Sequence, residues 1–414
     1  MSCPRYGELL WYADTGDREP LRGHAPDGCP RCAGRLAEYA ALRAALAPLA
    51  GVAEGATAPA DRAAAAALAA RLAAEAGVNS PAGRVRALIA AARTRAVDDR
   101  QVSLRHAGEA LALAHTLADG GLPPGLAETL LADAATAHGF ALALCDQPDE
   151  AARQLETALE RWRTLGDPLG EATALNSLAI ARMMTREFAA AERAARSALR
   201  LTAELGDELR TAMASHNLAM IFGDLGRHAD ALRAARDAAA VFARHERPAE
   251  RGRALHLAAW HLRELDRLAE AAQSAREARG LLAGAGDEVD CAKCDWVLGR
   301  IALRRDPAGP EVEHRLSAAH AVMAARGLWL EATLIRCDRL RALLARGDAA
   351  AAGAELTAIR VELPADRRNA WTDAALDSLA SRLANALPAE CVPLADDLAS
   401  LIERGALATD AVLH

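Results

Sequence analysis

The residues of this chain best suited to chemistry stand near its start. Cys3, His24, Cys29 and Cys32 are four soft ligands, and Cys29-Pro30-Arg31-Cys32 has the spacing of a zinc knuckle. His24 precedes that pair by five residues, and Cys3 stands far enough away to come from another helix. Zinc takes four ligands in a tetrahedron, and thiolates with an imidazole suit it. Four protein ligands leave no open position, so the expected site is structural, with Zn2+ as its cofactor. So short a segment has little core of its own, and metal would supply its folding energy. Two other readings stand beside this one. A CxxC pair does redox work when a helix N-terminus lowers a thiol pKa, and the pair can be incidental. No thioredoxin-like pattern of strand and helix surrounds it.

On those four residues the first 50 residues resemble the zinc-binding anti-sigma domain of bacteria. That family has an early ligand, then a histidine, then a CxxC at the start of a helix. The resemblance implies Cys3, His24, Cys29 and Cys32 as metal ligands and a sigma factor as partner. The helix would be Ala33 to Leu49, with Leu36, Tyr39, Leu42 and Leu46 on one stripe. Four residues separate His24 from Cys29, where the family usually has three. Several such families use the fold without any sigma partner.

Elsewhere no catalytic set emerges. There is no glycine-rich phosphate loop, no HExxH and no nucleophile elbow, so an enzyme is not expected. Cys291 and Cys294 form a second CxxC, inside a helical stretch, so their side chains share a face one turn apart. They read as buried structural thiols, with a metal site completed by Cys337 as the alternative. Cys145 and Cys391 read as packing residues. His256 and His261, with Glu264 following, have offsets that define no site; a satisfied surface cluster is the expectation.

The elements that position these residues repeat every 40 residues from about Ala132 to Trp371. Gly139, Ala179, Ala219, Ala259 and Gly299 form one column of small residues. Ala151, Ala191, Ala231 and Ala271 form a second, whose phase Ala351 keeps; Ala158, Ala198, Ala238, Ala278 and Ala318 form a third. Leu165-Gly166-Asp167 returns as Leu205-Gly206-Asp207 and as Ala285-Gly286-Asp287. Within one period, Ala172, Leu175, Leu178 and Ala179 have helical spacing, a break falls near Thr185-Arg186-Glu187, and a second helix starts near Phe188. The glycine after it suits a left-handed C-cap. One such hairpin cannot bury its apolar face alone, so neighbours must stack.

In these columns the sequence resembles the tetratricopeptide (TPR) family, in its long-repeat variety seen in bacterial regulators. Leu178-Ala179 with Ala191 and Ala198, and Leu218-Ala219 with Ala231 and Ala238, match its pattern. Phe222 and Gly226 stand where that family often has an aromatic residue and a turn. The usual proline ending the second helix is absent, and the period is 40 rather than 34. The resemblance implies an all-α, right-handed TPR-like α-solenoid whose first helices line a concave groove. Carried over one position at a time, the groove residues are Thr173, Asn176, Ile180, Met183 and Met184, then Met213, His216, Met220, Gly223 and Asp224. Arg253, His256, Trp260, Arg263 and Glu264 follow, then Lys293, Trp296, Arg300, Leu303 and Arg304. Methionine surfaces adapt to varied partners, and tryptophan with arginine is typical of interaction hot spots. The expected binding set is Met220, Arg253, His256, Trp260, Trp296, Arg300 and Arg304, with the arginines meeting carboxylates of a protein or peptide. The alternative is that both tryptophans pack between repeats and the arginines solvate a face.

Composition agrees with close-packed helices: of 414 residues 52% are hydrophobic, much of this alanine, and only 3% aromatic. A formal charge of -7 gives no support to a nucleic-acid surface. No run of 18 apolar residues or secretory leader is present, so a cytoplasmic protein without membrane contact is expected. The expected order is a zinc-binding module over 1–50, a linker over 51–60, and degenerate or capping helices over 61–131. Six 40-residue hairpins over 132–371 follow, then capping helices and tail over 372–414, the tail fraying from Gly405. The function this implies is a protein-interaction regulator, anti-sigma-like, with the solenoid as sensor or recruiter in transcription. The alternatives are a scaffold without a sigma partner and a peptide or small-molecule receptor.

Overall fold

A computed structural model describes residues 81–95, 99–119, 124–365, 368, 370–385 and 388–408. The expectations for Cys3, His24, Cys29, Cys32, the linker and the first part of the capping stretch, 61–80, lie outside the described residues. Sixteen α-helices and no strand occur among the described residues.

The chain divides into two compact units, the first ending at Leu225 and the second beginning at Gly226. In the first, α1 (Pro81–Arg95) and α2 (Arg100–Asp119) precede the hairpins α3 (Pro124–Leu144) with α4 (Pro148–Leu165) and α5 (Pro168–Met184) with α6 (Phe188–Glu204). Helix α7 (Glu208–Asp224) closes that unit. The second opens on α8 (His228–Arg244) and continues through α9 (Pro248–Glu264) with α10 (Leu268–Gly284) and α11 (Glu288–Arg305) with α12 (Pro310–Ala325). Then come α13 (Trp329–Ala345) with α14 (Ala349–Glu362), and α15 (Ala370–Asn385) with α16 (Val392–Ala408), the last pair joined through a 3-10 turn at Pro388–Cys391. Helix α16 runs to Ala408, past the Gly405 where the sequence suggested fraying.

Within each unit every helix packs on the next, and the first helix of a hairpin also touches the first helix of its neighbour. That holds for α3 with α5 and α5 with α7 in the first unit, and for α9 with α11 and α11 with α13 in the second. Such side-by-side packing gives each unit one face made of first helices.

Packing explains the columns. Ala179, Ala219 and Ala259 have no exposed surface. Where glycine replaces alanine, a leucine of the paired second helix fills the place of the missing Cβ. A Cβ on Gly139 would stand 2.6 Å from Leu155 Cγ, and one on Gly299 2.9 Å from Leu316 Cγ.

The turns obey a shorter period than the helices. Left-handed backbone recurs every 20 residues, at Asp146, Gly166, Arg186, Gly206, Gly226, Glu246, Asp266 and Gly286. In the Gly-Asp turns the two residues divide the work. Gly206, at φ 71, ends α6, and the Asp207 carboxylate then accepts the Arg210 N–H at 2.9 Å and caps α7. Asp167, Asp287 and Asp348 cap their helices in the same way. Glu246 holds the left-handed position at φ 53 against the steric cost of its Cβ. Glu246→Gly is therefore expected to raise stability by roughly 0.5–1 kcal/mol, read as a shift in the urea midpoint; a fall would mean that the carboxylate matters more than the backbone.

The series breaks once. The connection between α11 and α12 has four residues, Asp306 to Gly309, where those of α3–α4, α5–α6, α9–α10 and α13–α14 have three. Left-handed backbone next appears at Gly327 and Gly347, one residue late. This corrects two assignments to the alanine columns. Ala318 is exposed and Ala319 fully buried; Ala351 is half-buried and Ala352 fully buried. The inserted residue shifts α12 and α14 by one position in the series.

One half-buried imidazole gives the first unit a pH dependence. Burial pushes the pKa of His138 below its ordinary value, and Glu150 only partly opposes this. The unfolded chain therefore takes up a proton at a pH where the folded chain resists it. Stability from this group is present above the unfolded pKa of about 6.5 and is lost as pH falls below it. We expect His138→Gln to lose less stability than the parent between pH 7.5 and 5.5 in urea titrations. Equal losses would remove His138 as the cause.

Candidate binding face of the second unit

The face built by α9, α11 and α13 carries six of the seven expected binding residues. The seventh, Met220, lies on α7 in the first unit and is half-buried. Helical spacing puts Arg253, His256, Trp260, Arg263 and Glu264 along α9. Trp296, Arg300 and Arg304 lie along α11.

At the centre, the rings of Trp260 and Trp296 meet edge to face, centroids 5.7 Å apart at 75°. Trp296 is buried at 6% exposure, and its indole N–H donates to the Asp338 carboxylate at 2.7 Å. Leu303 is buried as well. For these two residues the expected exposure in a groove is corrected: α13 lies against Trp296, and Leu303 is packed into the same core cluster. Trp260 remains half-buried.

The arginines are largely held from within. Arg253 donates through Nε to Asp290 at 2.8 Å and through Nη2 to Asp287 at 2.7 Å. Burial alone would lower the pKa of Arg253, but the two carboxylates outweigh it and the pKa rises. Burial likewise opposes ionisation of Asp290, and Lys293 with Arg253 still hold it below the usual carboxylate range. Arg300 donates through Nε to Asp338 at 2.7 Å, and Arg341 reaches the other oxygen of Asp338 at 3.0 Å. Asp338 is 1% exposed; Arg300, Trp296 and Arg341 together keep it ionised against its burial. Arg304, more than half exposed, stands 3.6 Å from Asp266. His256 is half-buried.

Arg263 differs from these. Its guanidinium lies 4.4 Å from the centre of the Trp260 ring, and that of Arg300 lies 5.2 Å from the same centre. The Arg263 side chain is 9% exposed, and its Nη2 reaches only the carboxylate of the next residue, Glu264. Its buried Nε–H meets no acceptor among the described residues. Burial, reinforced by the nearby Arg300, pushes its pKa down to about 10.

The remaining expectations resolve locally. Cys294 is fully buried against Ala278 and Leu282, with Cys291 beside it, while Cys337 belongs to a different cluster. Burial pushes the Cys291 thiol up to about 11 and raises that of Cys294. Among the described residues no three ligating side chains converge on one point. His261 is not part of a surface cluster: it is buried at 3% exposure and faces His228 of α8, Nδ1 to Nδ1 at 3.5 Å. Sequence reasoning missed Asp338 and His228, and Arg263 carried no special weight. One signal was present: Asp338 lies 42 residues after Trp296 and 38 after Arg300, about one repeat, and so on the adjacent first helix.

Hairpins of this length, stacked through columns of small residues, define a TPR-like helical-repeat protein. Solved structures share that fold. A Rap protein complexed with competence and sporulation factor superposes with a TM-score of 0.60 at 14% identity, covering 89% of this chain and 99% of that one. The apo form of the quorum sensor NprR from B. thuringiensis gives 0.56 at 13% identity, covering 87% and 97%. Aspartyl phosphate phosphatase F from Bacillus subtilis gives 0.52 at 11%, covering 86% and 82%. Identity this low speaks to fold alone. No family model matches the chain, and no curated protein sequence matches it. No helix among the described residues is long and apolar enough to cross a membrane.

Proposed function

We propose that this chain is a regulatory interaction protein that takes a peptide, free or as a segment of a partner protein, on the first-helix face of its second unit. The observation that carries the reading is the half-buried Trp260 with two guanidiniums against its ring. Such an aromatic and cationic centre gives a peptide both apolar area and directional contacts. Fold likeness to a Rap protein complexed with competence and sporulation factor, and to a quorum sensor, supports a peptide as the occupant. Arg253 and Arg300 stiffen the face through their internal carboxylates, and Trp260, His256 and Arg304 meet the partner. Affinity capture from the native cell, with the eluate resolved by mass spectrometry, tests this. Trp260→Ala is expected to weaken the captured complex by about 2 kcal/mol, roughly thirtyfold. Unchanged affinity would move the site elsewhere, and a small molecule in the eluate would favour the receptor alternative.

The finer reading is an anti-sigma-like regulator of the cytoplasm whose N-terminal Cys3, His24, Cys29 and Cys32 hold one zinc and dock a sigma factor. It rests on the spacing of those four residues. Metal analysis of protein purified without chelator tests it: about one zinc per chain is expected, absent from Cys29→Ser, with helicity unchanged because repeats are held by their neighbours. Zinc retained in full by that variant would dismiss the site, leaving a scaffold whose binding is all in the repeats.

A further inference from the structure

Two other cations of this face hydrogen-bond a carboxylate on a neighbouring first helix. Arg253 on α9 reaches Asp287 and Asp290 at the start of α11, and Arg300 on α11 reaches Asp338 on α13. Arg263 has none. It is nine-tenths buried, shares the Trp260 ring with a like charge, and has a buried donor without an acceptor among the described residues. Its one ion pair is with its own chain neighbour, Glu264, whose side chain is a third exposed. A buried charge served so poorly costs stability. A carboxylate from outside would supply what the fold does not: a bidentate acceptor for a planar guanidinium already fixed by an aromatic ring.

We propose that Arg263 is the anchoring cation for a carboxylate of the bound peptide, and that Glu264 holds the guanidinium until that carboxylate displaces it. The inference rests on the peptide reading given above and names the chemical group recognised. The apolar part of the same peptide residue lies against the open part of Trp260. Because the pair forms in a largely buried place, it is only weakly screened by salt.

The carboxylate has two sources, the C-terminus of the peptide or an Asp or Glu side chain, and three random heptapeptide pools distinguish them. One has free C-termini without Asp or Glu, one has amidated C-termini with Asp and Glu, and one has amidated C-termini without either acid. Retention on the full chain is read by mass spectrometry. At least one carboxylate pool is expected to be retained about tenfold more than the pool without carboxylates, roughly the effect of one such contact. Arg263→Met should bring retention down to the level of that third pool. Its melting temperature without peptide should equal or exceed that of the parent, since an ill-served buried charge has been replaced by an apolar chain of similar length. Glu264→Gln, which removes the competing carboxylate, should increase retention.

The outcomes separate. If Arg263→Met melts several degrees lower than the parent, the residue is structural and the proposal falls, whatever its retention. If parent and Arg263→Met retain the carboxylate pools equally while Trp260→Ala loses them, the peptide reading stands and the role of Arg263 falls. If no pool is retained by the parent, both fall. Weaker retention by Glu264→Gln would overturn the displacement step.

Discussion

Asp338→Ala should lose about 3–5 kcal/mol of stability, because it leaves the Arg300 guanidinium and the Trp296 indole N–H without their acceptor in a closed interior. The carboxylate is 1% exposed and joins α11 to α13 through Trp296 and Arg300, with Arg341 on its second oxygen. At roughly 2–4 °C per kcal/mol for a domain of this size, the melting transition should fall by on the order of ten degrees. Asp338→Asn should lie between, since an amide oxygen still accepts from the indole but no longer balances two guanidiniums. Calorimetry of the three proteins decides it, and an alanine variant within about 1 kcal/mol of the parent would show that the buried network contributes no more than a surface pair.

Gly170→Ala should be the other severe change. A Cβ there would stand 2.3 Å from Cδ2 and 2.4 Å from Cε3 of the Trp162 ring. That ring cannot easily yield: it is buried at 6% exposure and its Nε1–H donates to Thr136 Oγ1 at 3.0 Å. Overpacking a rigid ring costs about 3 kcal/mol, against a gain of about 1 kcal/mol for alanine over glycine in a helix. A net loss of about 2 kcal/mol follows from those two figures. The same substitution at Gly280, whose Cβ would meet nothing within 4 Å, should instead stabilise by up to about 1 kcal/mol. The two variants measured side by side in urea separate packing from propensity; if both stabilise, Trp162 is not the obstacle.

The hairpins were legible because their signals are local and repeated. The break at Thr185-Arg186-Glu187 and the start at Phe188 coincide with the end of α5 and the start of α6. The one-residue slip after Asp306 was not legible, for a physical reason. Alanine occupies both Ala318 and Ala319, and both Ala351 and Ala352. Either phase could therefore fill the small-residue column, and only the packed structure distinguishes them. The binding face was legible as a place, since Trp260, Trp296 and Arg300 do come together. The state of its charges was not. On a lone helix Asp338 looks like a solvated acid, and its burial arises only when α13 is laid beside α11.

The internal pairing of Arg253 and Arg300 bears on how fast a partner can arrive. A row of bare guanidiniums would cast a long-range field and draw acidic partners in at rates well above the usual 10⁵–10⁶ per molar per second, steeply reduced by salt. Here each of those cations has a carboxylate within hydrogen-bond distance, so their fields cancel a short way from the surface. Encounter with this face should then run at the unsteered rate and change little with ionic strength. Selectivity would be expressed after contact, in how long a complex lasts, so that partners differ in residence time while sharing one speed of approach.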